Sequence, residues 1–327
     1  MNEAATKERK GNALLALWKD KERRGKLIRS LVPFVGLIFI IIFFQITTNG
    51  RLLMVKNLKT VLNQTFSIIL GACGMVFVIS QGNLDFSMGS VSGMAAALAA
   101  MVCGAGPLVS LAVALVIGAA IGTLNGLMHV GFKAPANIVT LCTQFTFRGV
   151  VQVITATGLI IPMAWSWMDG IPVKIVVSIV LVLITIVVFE YTKFGKYCKA
   201  IGSGGAASIQ SGVPLNKMKV LAFLLSGVAA GLCGFFSMIR AGSVAPTTGT
   251  GLEMNVLLAI VLGGMPLSGG ASSKVRAVIL GSAMLAFLMN GLVIWGLNDL
   301  VQQGVKGAIF LVAVALSFER GNIAVIK

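Results

Sequence analysis

Charge is what this sequence has least of. Only 11% of its 327 residues are Asp, Glu, Lys or Arg, against roughly a quarter in a soluble domain of similar length. A chain so poor in charge cannot cover a water-facing surface, which excludes an ordinary soluble domain and makes a lipid bilayer its natural solvent. Acids are scarcer still, 10 against 26 bases. The one histidine, His129, ends an apolar run with no second ligand near it, so no metal site is expected. The five cysteines (Cys73, Cys103, Cys142, Cys198, Cys233) form no CxxC pair and read as small packing residues, not disulfides or ligands. No GxxxxGK[ST] phosphate loop occurs, which excludes ATP binding in the P-loop manner. No Ser/His/Asp constellation supports an enzyme, and no cofactor is expected on the chain.

What is present is apolar. Hydrophobic residues make up 57% of the chain, 39 residues are glycine, and the mean hydropathy is +0.96. The net charge of +16 sits in short clusters between apolar runs. That is the pattern of loops held on the cytoplasmic side of a membrane, and it excludes a nucleic-acid surface. Stripes such as Gly118-xxx-Gly122-xxx-Gly126 and Gly227-xxx-Gly231 let helix backbones approach closely in lipid.

The apolar runs predict an all-α polytopic membrane protein of about ten segments, at 31–48, 61–80, 88–103, 108–128, 137–155, 173–189, 220–239, 252–264, 277–297 and 300–318. The piece 252–264 is too short to span and reads as a half-helix or re-entrant segment. Residues 1–30 carry nine bases and form a basic cytoplasmic N-terminal segment, with an apolar patch at 13–18 that suits the membrane surface. Residues 31–318 form the transmembrane domain and 319–327 a cytoplasmic tail, so both termini lie inside. Arg51, Lys56 and Lys59 fall outside and run against the positive-inside rule, outweighed by the denser N-terminal cluster. Trp165 and Trp167, in an outer loop, suit an interfacial belt.

The most polar interruption is the loop 193–219, with five lysines (Lys193, Lys196, Lys199, Lys217, Lys219) around a core of small residues at 202–212. Its Gly202 to Ala207 stretch formally matches GxGxxA, but no buried strand precedes it, so the dinucleotide reading fails. Residues 200–211 predict one short helix along the membrane, ended by Gly212 and Pro214. A smooth, nearly uncharged helix flanked by lysines suits docking into a groove on a partner protein.

Two acids stand out. Asp85 follows the run that ends at Ser80, and Glu253 follows Gly249-Thr-Gly251; each opens an apolar helix. An ionisable group at a span boundary points to function, yet each could equally cap its helix, and both readings stay open. The two settings echo one another and suggest a weak inverted repeat with interrupted helices, a transporter design. Arg148, in the fifth run, could snorkel outward or pair with an acid.

These motifs together resemble the permease subunit of ribose-type bacterial ABC sugar importers, a family that includes galactose, xylose and autoinducer-2 systems. The resemblance runs from about residue 58 to 318. It rests on Gly82-Asn-Leu-Asp-Phe-Ser-Met-Gly-Ser90, Gly122-Thr-Leu-Asn-Gly126, Pro135 to Thr140 and Arg148-Gly149. Further carriers are Phe194-Gly195, Ala200-Ile-Gly202 with Ala206-Ala207, Ser211-Gly-Val213, Ser226-Gly227, Leu262-Gly-Gly264 with Ser268-Gly-Gly270, and Asn290-Gly291. Asn83, Phe86 and Met88 depart from the residues usual there.

The resemblance implies a permease domain at 31–318 working by alternating access in the bacterial plasma (inner) membrane. Its implied partners are a second permease chain, with a homodimer preferred over a heterodimer, a cytosolic ABC ATPase carrying ATP and Mg, and an extracytoplasmic sugar-binding protein. It places ATPase coupling on Lys199, Ala200, Ile201, Gly202, Gly204, Ala206, Ala207, Ser211, Gly212 and Val213. A substrate pathway is expected along Asn83, Asp85, Ser87, Asn125, Arg148, Glu253 and Asn290. An ion-coupled secondary transporter, which would use Asp85 and Glu253 and need no ATPase, is the alternative; a membrane assembly protein without transport is a third reading.

Overall fold

The structure, a computed structural model, describes residues 21–317. The N-terminal patch at 13–18 and the tail 319–327 lie outside the described residues. Helices form at each of the ten places the apolar runs mark: α1 (Lys21–Thr47), α2 (Val55–Ser80), α3 (Met88–Met101), α4 (Pro107–Gly131), α5 (Ala136–Ile154) and α6 (Ile171–Ile186). Within the polar loop lie α7 (Lys193–Ser203) and α8 (Gly205–Gln210). After it come α9 (Leu215–Ala241), α10 (Leu252–Leu262), α11 (Arg276–Ile294) and α12 (Asp299–Ser317). Five of these helices, including α2, α4, α9 and α11, are long and apolar enough to cross a membrane; the fifth is α6 with the π turn that extends it to Tyr191.

Two of the ten apolar segments are too short to cross. At 1.5 Å per residue, the 14 residues of α3 reach about 21 Å and the 11 of α10 about 17 Å, against roughly 30 Å of hydrocarbon. The half-helix expected at 252–264 is therefore present, and the run at 88–103, expected to span, is a second one. Each follows a long helix and a non-helical break, residues 81–87 after α2 and 242–251 after α9.

The two halves exchange partners. The first half's α2 packs on the second half's α10 and α11, while the second half's α9 packs on the first half's α3 and α4. Glycines set these approaches. A Cβ on Gly71 of α2 would sit 2.7 Å from Val256 of α10, and one on Gly234 of α9 would sit 2.2 Å from the Ser92 carbonyl of α3. The stripe on α4 meets the stripe on α9, where a Cβ on Gly118 would lie 2.2 Å from the Gly227 carbonyl. The C-terminus of α2 lies beside the N-terminus of α9, since the Gln81 side-chain amide donates to the Met218 carbonyl at 3.0 Å. The paired long helices thus run antiparallel, and the weak sequence echo is an interlocked inverted repeat.

At the end of the bundle opposite the loop, two short strands that composition does not mark pair antiparallel, β1 (Leu159–Ile160) with β2 (Ser243–Val244). Trp165 lies under them with Ile161 and Val244 in an apolar cluster. It is a core residue, which corrects its assignment to an interfacial belt; Trp167 is exposed and fits that role.

Candidate functional site: two broken helices and a polar loop

The breaks enter the bundle from opposite ends, and the half-helices meet at their N-termini. A Cβ on Gly89, in the first turn of α3, would lie 2.0 Å from Glu253 Oε2 and 2.4 Å from the Gly249 carbonyl. Glycine is the residue that allows this closeness. The positive ends of two helix dipoles therefore converge on one place, with an acid supplied at each.

Asp85 is 2% exposed and fully engaged. Its Oδ1 accepts from the Ser87 backbone N–H at 3.0 Å and the Ser87 hydroxyl at 2.6 Å, and its Oδ2 accepts from the Ser226 hydroxyl of α9 at 2.7 Å. The Asn125 amide of α4 donates to Ser87 Oγ at 2.8 Å. Asp85, Ser87 and Asn125, all expected on a substrate pathway, thus form one buried network that pins the start of α3 to α4 and α9. Ser226 belongs to it too and is absent from the site expected from sequence, because a lone serine in an apolar run carries no signal. Asn83 lies in the same break, partly buried, its Nδ2 without a partner among the described residues.

Glu253 accepts from the Gln144 amide of α5 at 3.2 Å through Oε1, while its buried Oε2 has no hydrogen-bond partner among the described residues. Arg148 donates to the Thr248 carbonyl at 2.7 Å, tying α5 to the second break. Arg148 does not snorkel free: it faces the second break, where it attracts Glu253 electrostatically without a direct salt-bridge contact among the described residues. Gln144, one turn before Arg148, is a further residue of the site that the sequence does not single out.

Asn290 stands apart. It lies on α11, its Oδ1 accepting from the Asn57 amide of α2 at 2.6 Å, and Asn57 also donates to the Leu52 carbonyl. The structure makes it a helix-to-helix clasp outside the cluster at the breaks. An Asn290→Leu change is expected to cost about 1 kcal/mol of stability by removing one of the two acceptors of the Asn57 amide, with uptake per folded molecule unchanged; thermal midpoint and transport assays on the same preparation check both.

The polar loop folds as two helices, not the single helix expected, with the break at Gly204. On α7, Gly195, Cys198 and Ile201 face inward. Cys198 accepts from the Gln81 amide, and burial pushes its thiol up to about 11, so it is inert at neutral pH. Gly202 touches the membrane part directly: a Cβ there would lie 2.1 Å from the Ser80 carbonyl at the end of α2 and 2.5 Å from the Gly270 amide. The Gly270 N–H donates to that same Ser80 carbonyl at 2.9 Å. Ile201 and Val213 are buried anchors, and Ala200, Gly202 and Gly204 are half-buried. Ala206, Ala207, Ser211 and Gly212 are exposed, together with Ile209 and Gln210, two neighbours not picked out from sequence. Ile209 is 58% exposed, a large apolar side chain on the outer face of α8.

Lys199 does not project into solvent. It forms an ion pair with Glu190 Oε2 in the π turn after α6 and lies over the Phe189 ring at 4.5 Å. Glu190 Oε1 accepts from the Val275 N–H at 3.3 Å, at the start of α11. One side chain thus clasps α7 to both halves of the repeat. A Glu190→Ala change is expected to cost only about 1 kcal/mol, because the pair is partly solvated. It should also open Cys198 to a water-soluble maleimide. Labelling rates in a chain whose other cysteines are serine measure this; an unchanged rate would show that the clasp does not hold α7 in place.

The comparisons with known proteins agree over most of the chain. Residues 57–314 match the family model described as branched-chain amino acid transport system / permease component. The ribose import permease protein of Escherichia coli (strain K12) is 32% identical over 299 residues, covering 88% of this chain and 92% of that protein. The ribose import permease protein of Bacillus subtilis (strain 168) is 33% identical over 301 residues, covering 89% and 93%. The xylose transport system permease protein of Escherichia coli (strain K12) is 27% identical over 358 residues, covering 88% and 91%. No solved structure matches.

Proposed function

We infer the function from a premise that the match over residues 57–314 establishes: this chain belongs to the branched-chain amino acid transport system / permease component family. It is a multi-pass membrane permease, a transport component and not an enzyme. Its function is that of the transmembrane subunit of an ATP-binding-cassette importer for a monosaccharide such as a pentose. The observation that carries this is the identity with ribose import permeases along 88% of the chain.

The geometry supports a mechanism for it. ATP and Mg act on a separate cytosolic ATPase, which docks on the exposed face of α8 and the turn after it, at Ala206, Ala207, Ile209 and Ser211. Displacement of α8 moves α7, and α7 pushes through Gly202 on the Ser80 carbonyl, where the first break begins. The break carries that motion to Asp85 and the start of α3, and through Gly89 to Glu253 and α10. Because the halves interlock, shifting one half-helix moves the other, which is what alternating access requires. Substrate delivered by an extracytoplasmic binding protein passes beside the breaks, between this chain and a second permease chain, a second copy in the simplest arrangement. Both termini and the polar loop lie in the cytoplasm of a bacterial cell.

The ion-coupled alternative draws no support from these relatives, and Asp85 is already engaged in three hydrogen bonds. Uptake into vesicles holding the whole set of partners tests the reading. Accumulation of a labelled pentose should survive an ionophore and stop when ATP is removed. Uptake that collapses with the ion gradient and ignores ATP would overturn it.

A further inference from the structure

At the end of the bundle opposite the polar loop, a groove of about 150 Å³ opens toward the lipid between α2 and α6. Leu62, Phe66, Ile69, Ile175 and Ile179 make its walls. Its head is polar. Lys174 Nζ lies 2.6 Å from Asn63 Oδ1 and 2.6 Å from Asp169 Oδ1, so its charge is neutralised within the protein. Arg240, at the end of α9, reaches the Asn63 carbonyl at 3.5 Å. Lys59 stands one helical turn before Asn63 on the same face of α2. Lys59 and Arg240 are exposed, and neither has an acidic partner among the described residues. Two uncompensated cations thus stand at the mouth of an apolar groove, at the end of the protein where the positive-inside rule does not place them.

We propose that the groove between α2 and α6 is a binding site for an anionic phospholipid, with an acyl chain along Leu62, Phe66 and Ile179 and the headgroup phosphate between Lys59 and Arg240. A purely apolar helix seated in the groove would leave those cations uncompensated, and a zwitterionic lipid would bring no net charge. An anionic phospholipid, with an apolar chain and a net negative head, complements both parts at once. The site is remote from the half-helices and from α8, yet it bridges α2 and α9, the two long helices that carry the breaks, so an occupant would brace their outer ends.

The test is native mass spectrometry of the full chain released from nanodiscs of equal phosphatidylglycerol and phosphatidylcholine. The wild-type chain should retain phosphatidylglycerol preferentially. Lys59→Gln and Arg240→Gln should each lower that preference about fivefold, and the double variant should bring it to parity, with an unchanged thermal midpoint in lipid-free detergent. Ser178→Trp, which fills the groove, should lower retention of either lipid. A wild-type chain without preference, or a double variant that keeps it, overturns the proposal. So does a Ser178→Trp variant that retains lipid but splits a dimer into monomers, which would assign the groove to a second copy of the chain.

Discussion

A Gly89→Val chain should fail both to fold stably and to transport. The added Cβ would lie 2.0 Å from Glu253 Oε2 and 2.4 Å from the Gly249 carbonyl, and the second of these is backbone that cannot rotate away. Overpacking of this kind costs about 3 kcal/mol at the upper end of its usual range, a large share of the stability of an ordinary domain. Because Gly89 is where the two half-helices touch, separating them would also cut the proposed path from α3 to α10. A glycine elsewhere makes the control: at Gly149, inside α5, an added Cβ would meet nothing within 4 Å. A Gly149→Ala chain should gain about 0.5–1 kcal/mol from helix propensity and transport normally. If close approach, and not glycine content, is what matters, the thermal midpoints of the two variants move in opposite directions and only Gly89→Val loses uptake.

Asp85→Ala is expected to be nearly as severe. It removes the acceptor of three buried donors, the Ser87 N–H and the hydroxyls of Ser87 and Ser226. Each orphaned donor costs about 1–3 kcal/mol, and since the hydroxyls can turn to other acceptors we expect about 3 kcal/mol in all. Asp85→Asn keeps the shape and one carbonyl acceptor, so its loss should be about half as large. Here the positioning role parts from an ion-carrying one. If Asp85 fixes α3, uptake by the Asn variant falls only in proportion to the folded protein that remains. If Asp85 carries a proton or cation, the Asn variant folds as well as wild type and transports nothing. Thermal midpoint and uptake on the same reconstituted sample separate the two.

What can be read from the chain alone depends on the range of the physics involved. Hydrophobicity is local, so the ten helical segments and the too-short piece at 252–264 are visible directly. The shortness of α3 is not, because the small apolar residues from 88 to 103 look continuous and the helix ends at Met101 without a charge to mark it. Asp85 and Glu253 are visible as rare acids, but the bond that ties Asp85 to Ser226, which lies 141 residues away in sequence, is not. Asn290 joins them in sequence on the strength of a motif, whereas its partner Asn57 sits 233 residues away. The polar loop is evident from its lysines. Which of its residues face out is not, since Ile201 and Val213 turn inward and Ile209 turns outward for reasons of packing against the bundle. The partner exchange between α2 and α9 leaves only the glycine stripes as a trace, and a stripe says that something approaches closely without saying what.

The proposed drive for transport is a partner ATPase pushing on the outer face of α8. ATP hydrolysis and sugar uptake measured together, in vesicles holding the full importer with Ala207→Asp in the permease, test it most directly. Ala207 is exposed, so a carboxylate there should point into water and the variant should fold with an unchanged thermal midpoint. Uptake should be lost, while any hydrolysis that remains should no longer depend on the loaded binding protein. Full uptake by the Ala207→Asp importer, at the wild-type ratio to ATP hydrolysed, would contradict a drive through α8.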